Sequence, residues 1–508
     1  MKPSDKVIFN TGVLYAKILI CMFISLWTVP IVLRALGVSD FGLYNLLAGV
    51  VAMLSFLNGA MTVSSQRYLS VTLGANDGVQ LNRVYTVSIL LHLTIGIILF
   101  ALFEILQPLL FNGFLNYPAE RHETALWIYQ MLIVGVVFTI LSIPYDAVMN
   151  AYENMLAFSV ISIIEALLRL ALAFSLCYIR TDTLLLYGYG IAFITILIYV
   201  IKWAYVRLRY NHLRFSCTKY YDASLFKKMF GFAGWNTVGA LAGVGRIQGI
   251  AIILNTFFGT IVNAAYGIAN QVNGVLNYFS ATIQKSINPQ LMLSEGEGNR
   301  QRMIRISYYS SKYSSLLISM LAIPLIIEAP YVLNLWLGEA PSYTVVFVRL
   351  VLIMSIINQT SAGIMTALQA VGEVKVYQLC VGTIILLNLP VAYGILKMGY
   401  APHTVLVSAI LIDIIALLAR LIIIHRQIPE FDVRRFVIQL LIPITLTVAL
   451  CTAVLYIEKT LLPESFWRLM IICASSVVLT VAPTWVFMMS AQERTTFEQL
   501  IIRKRHTA

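Results

Sequence analysis

Charged side chains are scarce in this sequence of 508 residues, of which only 11% are Asp, Glu, Lys or Arg. A soluble globular domain typically carries about 25%, so an ordinary water-facing surface is excluded. Hydrophobic residues make up 59%, and the mean hydropathy is +0.84. Apolar runs of about 20 residues, each long enough to cross a hydrocarbon layer of about 30 Å, recur from end to end. The chain is therefore predicted to be an all-α integral membrane protein.

Other absences argue against whole classes of chemistry. The six cysteines form no C-x-x-C pair and the six histidines show no metal-ligand spacing, so we expect neither a metal site nor a disulfide framework. The sequence has no Walker A motif, which argues against direct use of ATP. It also lacks a D-x-D motif and long outer loops, which membrane glycosyltransferases usually have. We therefore expect that the chain is not an enzyme and needs no cofactor.

The apolar runs predict about fourteen transmembrane helices, as two pseudo-symmetric six-helix lobes followed by two further helices. The first lobe covers residues 1–206 and is followed by a basic cytoplasmic linker at 207–231. The second lobe covers residues 232–424, and the last two helices with a basic tail cover residues 425–508. The predicted helices span residues 7–33, 43–66, 84–110, 124–149, 156–178, 184–206, 232–257, 262–288, 304–328, 345–371, 377–397, 403–424, 437–457 and 467–489.

The distribution of lysine and arginine predicts the orientation, because basic loops stay in the cytoplasm. With an inside N-terminus, 21 of these residues fall in cytoplasmic segments and 6 in the opposite loops. Both termini are therefore expected in the cytoplasm. The net charge of +12 is then a topology signal and a source of attraction to anionic lipid. It does not indicate nucleic-acid binding, since no basic domain stands apart from the membrane.

An internal repeat relates the two predicted lobes at an offset of 222 residues. Because six is an even number, both lobes enter and leave the membrane on one side, so the repeat is parallel. Transporters use such repeats to enclose a site near the membrane midplane. In the cytoplasmic turn after the fourth predicted helix, an offset of 220 brings Glu153 over Glu373. The matches at 222 include Gly37 with Gly259, Gly74 with Gly296 and Arg83 with Arg305.

Several of these features together resemble a known superfamily. They are the two six-helix units with a basic central linker, the junction L-G-V-S-D-F-G-L-Y at residues 36–44, the turn A-Y-E-N at 151–154 and the polar predicted helix at 262–288. They resemble the multidrug/oligosaccharidyl-lipid/polysaccharide exporter superfamily, and within it the bacterial polysaccharide transporters of the O-antigen flippase type.

The resemblance implies a function and a location. It implies that the chain flips an undecaprenyl-diphosphate-linked oligosaccharide from the inner to the outer leaflet, for cell-surface polysaccharide or O-antigen (lipopolysaccharide) assembly. Alternating access of the two lobes would carry the substrate across. It further implies a multi-pass monomer in the lipid bilayer of the bacterial inner membrane, with polysaccharide polymerase machinery as a partner.

Arg246 lies in the glycine-rich apolar run of residues 241–254, about 21 Å into its predicted helix. A cation at that depth costs at least a few kcal/mol unless it faces a wet cavity or a partner. Lys17 lies about 15 Å into the first predicted helix, and the repeat places it on the equivalent face. In the superfamily these two helices line the cavity between the lobes, so both cations are predicted to bind the anionic substrate. For Arg246 the alternative is a structural ion pair with a carboxylate.

Other ionisable residues lie inside predicted helices. Glu165 and Arg169 are four residues apart, the spacing of a helical ion pair. The alternative is that Glu165 takes up a coupling proton or that Arg169 joins the substrate cavity. Asp146 and Asp413 are candidates for ion coupling; the alternatives are helix-end capping or, in the helical bundle, a contact with Arg420.

Amide side chains follow one face of the predicted helix at 262–288. Such groups are costly in hydrocarbon unless they have partners, so they serve either helix–helix hydrogen bonding or contacts with sugar hydroxyls. Asn270, Asn273 and Asn277 are the candidates for the substrate cavity. The amides that share this face are Asn270, Asn273, Asn277, Gln284 and Asn288.

Three functions stay open at this point. The first is the flippase. The second is a multidrug or cation extruder of the same fold, which the cations Lys17 and Arg246 disfavour because such a site needs acidic or aromatic groups. The third is a polysaccharide polymerase or glycosyltransferase, which the short outer loops disfavour. The sequence does not decide which glycan is moved, which ion couples transport, or what the last two helices do.

Overall fold

The computed structural model describes residues 3–52, 56–111, 119–178, 182–489 and 493–494. Across these residues the chain forms α-helices joined by short turns, without a β-strand. In this described part, eleven helices are long and apolar enough to cross a membrane, or twelve when one bent pair counts as a single span. The chain is therefore an all-α, multi-pass membrane protein.

The chain forms two compact units. The N-terminal unit comprises Phe9–Thr237 with Gly296–Gly298, and the C-terminal unit comprises Met1–Ile8, Val238–Glu295 and Asn299–Ala508. The first eight helices are α1 Pro3–Ala52, α2 Phe56–Gly74, α3 Gly78–Leu109, α4 His122–Ala151, α5 Met155–Leu176, α6 Thr183–Arg209, α7 Cys217–Tyr220 and α8 Ala223–Gly296.

The remaining helices follow with short connections. They are α9 Arg300–Ile327, α10 Ala329–Leu337, α11 Thr344–Gln359, α12 Ala362–Val371, α13 Val374–Leu386, α14 Asn388–Lys397, α15 Thr404–Gln427, α16 Val433–Phe436, α17 Ile442–Leu461 and α18 Phe466–Pro483. The bent pair is α11 and α12, which meet at 44°. Each of the fourteen predicted helices overlaps residues that are helical in the structure.

Glycine breaks divide the two longest helices. At 1.5 Å per residue the 74 residues of α8 would extend about 110 Å, several times the thickness of a bilayer. The helix is interrupted at Gly259, with φ 75° and ψ −166°, and α1 is interrupted at Gly37, with φ 77° and ψ 166°. Side chains with a Cβ are almost never found in this conformation. Each merged helix therefore holds a junction between two predicted spans.

The backbone repeats its geometry at the offset read from the sequence. Gly37 and Gly259 are 222 residues apart, and so are the left-handed residues Asn76 and Gly298. The next residues, Asp77 and Asn299, both cap a helix through their side chains. Such agreement in turns and caps is set by local backbone geometry, and it supports the two-fold repeat.

In the later turn the predicted register is wrong by one residue. The left-handed residue is Glu153 in the first copy and Gly372 in the second. The following helices are capped at Asn154 and Glu373. Backbone geometry thus pairs Glu153 with Gly372, at an offset of 219. The two glutamates occupy different positions of the turn, because identical residue types do not fix the position of a left-handed residue.

The last two helices belong to the C-terminal unit. Cys451 and Leu455 of α17 and Ile472 of α18 are fully buried in its hydrophobic core. At one end of these helices, Arg468 donates to Glu328 at 2.7 Å, with 7% and 1% of their side chains exposed. Burial of this kind holds α17 and α18 against the α9 region of the unit.

Candidate functional site

Arg246 forms an ion pair in the C-terminal unit. It lies on α8, and its Nη1 donates to Asp413 Oδ1 of α15 at 2.5 Å. The Asp413 side chain is completely buried and that of Arg246 is 13% exposed. The sequence left open whether Arg246 has a carboxylate partner; the structure supplies Asp413.

The second carboxylate oxygen of Asp413 is also occupied. Asn358 Nδ2 of α11 donates to Asp413 Oδ2 at 2.8 Å. The expected contact between Asp413 and Arg420 is not formed, because Arg420 donates instead to Ser361 Oγ at 3.0 Å. The alternative of helix-end capping does not apply either, since Asp413 lies in the middle of α15. Three helices are therefore joined at one buried carboxylate.

A small cavity of about 90 Å³ opens beside this ion pair. Four of its residues are among the predicted substrate-binding residues; of the other eight, four come from α11, three from α8 and one from α15. A volume of this size accommodates several water molecules and is too small for an oligosaccharide. The polar lining residues are Arg246, Tyr266, Asn270, Asn273, Asn277, Ser355 and Asn358.

The amides on α8 are hydrogen-bonded to each other and to α11. Asn277 Nδ2 donates to Asn273 Oδ1 at 2.9 Å. Asn277 Oδ1 in turn accepts from Ser355 Oγ at 3.1 Å and from Gln359 Nε2 at 3.0 Å. Farther along, Gln284 Nε2 donates to Gln359 Oε1 at 3.0 Å. Helix–helix hydrogen bonding therefore accounts for Asn277 and Gln284, while Asn270, Asn273 and Asn277 itself also line the cavity.

Two glycines of the run around Arg246 allow close helix packing. A Cβ on Gly239 would overlap the side chain of Gln378, and one on Gly249 would lie 2.6 Å from the side chain of Leu389. In contrast, a Cβ on Gly243 would meet nothing within 4 Å. Packing against α13 and α14 thus explains the first two glycines and leaves Gly243 without a packing role.

Lys17 and the Glu165–Arg169 pair lie in the N-terminal unit, along the contact between α1 and α5. Lys17 Nζ lies 5.3 Å from the ring centroid of Phe158, and Cys21, one turn later, contacts the Ser162 carbonyl. Arg169 donates to Glu165 at 2.8 Å, and these side chains are 39% and 33% exposed. Among the described residues, Lys17 has no carboxylate within 4 Å, and Glu165 is paired with Arg169, so Lys17 is left as an excess cation at this contact.

Asp146 has a basic partner in the same unit. Lys202 Nζ of α6 donates to Asp146 Oδ2 of α4 at 2.8 Å, and both side chains are more than four-fifths buried. Neither helix-end capping nor a contact with Arg420 accounts for Asp146. All three predicted coupling carboxylates, Asp146, Glu165 and Asp413, therefore stand in ion pairs.

Sequence reasoning missed several residues that complete these sites. Asn358 and Gln359 are adjacent polar residues in the middle of the largely apolar predicted helix at 345–371, and Lys202 lies within the one at 184–206. A polar residue inside an apolar span is itself a signal for a partner or a function, and it would have selected all three. Glu104 of α3 carries the same signal: its Oε1 is buried with no hydrogen-bond partner among the described residues.

Comparisons with known proteins identify the fold. No family model and no curated protein matches the chain. Solved structures do match: a multidrug resistance MATE family transporter of the MOP superfamily in an outward-facing conformation has a TM-score of 0.72 at 12% identity, covering 85% of this chain and 97% of that one. MATE in the bent conformation has a TM-score of 0.72 at 13% identity, covering 84% and 96%.

A third structure differs in its binding pocket. It is a MOP superfamily transporter from Pyrococcus furiosus, described by a reverse polarity of its binding pocket that suggests a different function. Its TM-score is 0.70 at 12% identity, and the alignment covers 86% of this chain and 97% of that one. At such identities the likeness shows the fold alone, and that fold is the one of MOP superfamily transporters.

Proposed function

We propose that this chain is a transporter of the bacterial inner membrane that moves an anionic, lipid-linked oligosaccharide, carried on undecaprenyl diphosphate, to the outer leaflet. The observation that carries the proposal is the charge balance where Lys17 of α1 packs against α5. Lys17 has no carboxylate within 4 Å among the described residues, and Glu165 of α5 is already paired with Arg169. An excess cation inside a membrane span is costly unless an anion or water compensates it.

The charges elsewhere support an anionic substrate. The ion pairs of Asp146 with Lys202 and of Asp413 with Arg246 neutralise the charge of both carboxylates, which disfavours their use as a cation site. Arg246 still lines the cavity, where its guanidinium has further donors suited to phosphate oxygens. The small cavity around it fits one polar group or a few waters, and a glycan would need a different conformation of the chain.

A multidrug or cation extruder is the second candidate. Two observations favour it: the solved structures of the same fold include a multidrug resistance transporter, and Glu104 is a carboxylate in a span without a basic partner within 4 Å among the described residues. Such a residue can receive a proton or an organic cation. The comparisons favour this candidate over the flippase, whereas the charge balance favours the flippase.

Export assays with charge-neutral variants distinguish the two candidates. In cells that lack the chain's gene, we expect Lys17→Gln and Arg169→Gln to reduce surface polysaccharide at least tenfold and to leave undecaprenyl-linked oligosaccharide in the inner leaflet. The control Lys397→Gln, at an exposed position, should export like the parent. Normal export by both Lys17→Gln and Arg169→Gln would contradict the flippase, and drug resistance that depends on Glu104 would establish the extruder.

A further inference from the structure

The linker that runs from the last turn of α6 into the first turns of α8 is strongly basic. Residues 207–230 contain one acidic residue, Asp222, and six basic residues, which gives a net charge of +5. All six basic side chains are exposed. They are Arg207, Arg209, Arg214, Lys219, Lys227 and Lys228.

This linker is hydrogen-bonded to the N-terminal end of α3. The backbone N–H of Arg214 donates to Asn82 Oδ1 at 2.5 Å, and the N–H of Ser216 donates to Thr86 Oγ1 at 3.4 Å. Leu213, between these contacts and the end of α6, is buried in the core of the N-terminal unit. The basic side chains are therefore presented from a fixed backbone.

The single acidic residue is engaged in starting α8. Asp222 Oδ1 accepts from the backbone N–H of Leu225 at 3.0 Å and from Ser224. These hydrogen bonds, with a contribution from Arg83 at 3.9 Å, hold the pKa of Asp222 below its usual value. The carboxylate is thus ionised at neutral pH and oriented toward the helix start, which leaves the surrounding positive charge largely unbalanced.

Large apolar side chains alternate with the basic ones. Leu208, between two arginines, is 82% exposed. Phe215, next to Arg214, is 49% exposed, and Tyr221 is 50% exposed. A segment that exposes aromatic rings beside Lys and Arg, directly adjoining membrane spans, has the composition of a membrane interface, where rings enter the acyl boundary and cations meet headgroups.

We propose that this surface, formed by Arg207, Arg209, Arg214, Phe215, Lys219 and Tyr221, binds the phosphate headgroups of anionic phospholipids. The fixed backbone, the net charge of +5 and the interleaved aromatic rings select a charged lipid surface over a neutral one. The inference does not depend on the proposed substrate, because the residues lie in the linker and not in the candidate site.

A comparison of two charge-matched triple variants tests this binding surface. The first is Arg209→Gln with Arg214→Gln and Lys219→Gln. The second, a control, removes three charges from another connection between spans, where the acidic residues Glu430 and Asp432 offset two of them; its substitutions are Arg426→Gln, Arg434→Gln and Arg435→Gln. The full-length protein is reconstituted in nanodiscs of phosphatidylcholine containing a minor fraction of phosphatidylglycerol, and the bound lipids are counted by native mass spectrometry.

We expect the parent and the control to retain phosphatidylglycerol in preference to phosphatidylcholine. The linker variant should lose about fivefold of this preference per removed charge, with an unchanged melting temperature in pure phosphatidylcholine. In addition, a Phe215→Trp reporter should be quenched more strongly by brominated phosphatidylglycerol than by brominated phosphatidylcholine. Equal losses in both triple variants, equal quenching by both lipids, or binding of an RNA oligomer without any lipid preference would overturn the proposal.

Discussion

Arg246 and Asp413 form the most deeply buried charged contact among the predicted site residues, with side-chain exposures of 13% and 0%. Their attraction offsets the cost of removing two charges from water, and the further bond from Asn358 satisfies the second oxygen. The same arginine lines a polar cavity. A structural role and a ligand-binding role are therefore compatible at this position, and stability measurements separate their contributions.

Breaking the ion pair should destabilise the chain, and removing both partners should restore it. We expect Arg246→Ala alone, or Asp413→Ala alone, to lower the free energy of unfolding by about 3–5 kcal/mol, because each leaves an uncompensated buried charge. The double variant Arg246→Met with Asp413→Leu should lie within about 1.5 kcal/mol of the parent. Melting temperatures of the purified proteins measure this, and single variants as stable as the parent would rule out a structural role.

Export by the same variants tests whether Arg246 also binds a ligand. If Arg246 also binds a substrate phosphate, the stable double variant should export at least tenfold less than the parent. Full export by the double variant would show that the arginine serves the fold alone.

At the scale of secondary-structure elements, α8 and α11 are joined by an amide network. Asn277 is its centre, since it bonds to Asn273, Ser355 and Gln359. The network approaches the bend of 44° between α11 and α12, where Gln359 is the last residue of α11. Polar contacts at a bend can re-satisfy backbone and side-chain groups within a membrane span, and this network supplies such contacts next to the bend.

Replacing the central amide should loosen this pair of helices. We expect Asn277→Leu to cost about 1–3 kcal/mol of unfolding free energy, because the donors of Ser355 and Gln359 lose their acceptor inside the helix pair. Asn263→Leu is the matched control, since Asn263 has no hydrogen bond with a described residue, and it should change stability by less than about 0.5 kcal/mol. Thermal unfolding checks both, and a stable Asn277→Leu that fails to export would reassign this amide to the substrate.

At the scale of the whole molecule, orientation depends on the distribution of basic residues. The 21 to 6 excess predicts that Ser342 faces the outside and Asn299 the cytoplasm. Both residues are exposed in turns next to helices, so each can carry a thiol without disturbing a core. A third predicted outside position, Asn116, lies beyond the described residues.

Thiol labelling in intact cells tests the orientation. The exposed natural cysteines Cys177, Cys217 and Cys380 are first replaced by serine. We expect Ser342→Cys to react with an impermeant maleimide added outside and Asn299→Cys to react only after the membrane is opened. The reverse pattern would invert the topology and place the basic linker outside the cell.

The sequence by itself determined the class of the protein, the positions of its helices and the repeat. Hydropathy and helix length are properties of consecutive residues, so apolar runs predicted spans that the structure contains. The need for glycine at a position with positive φ is also a local property, and the sequence alone predicts the match of Gly37 with Gly259. The one-residue error at Glu153 arose where the left-handed residue was not a glycine.

Only the tertiary structure decided the partners of the embedded charges. Arg246 and Asp413 are 167 residues apart in sequence, and Asp146 and Lys202 are 56 apart. Such pairs depend on which helices pack together and on how each is rotated, and neither follows from a single-helix pattern. Glu165 and Arg169 were paired correctly because an i, i+4 spacing already places two side chains on one helix face. Interactions within one helix can be predicted from residue spacing in the sequence, whereas interactions between helices are determined only when the helices pack.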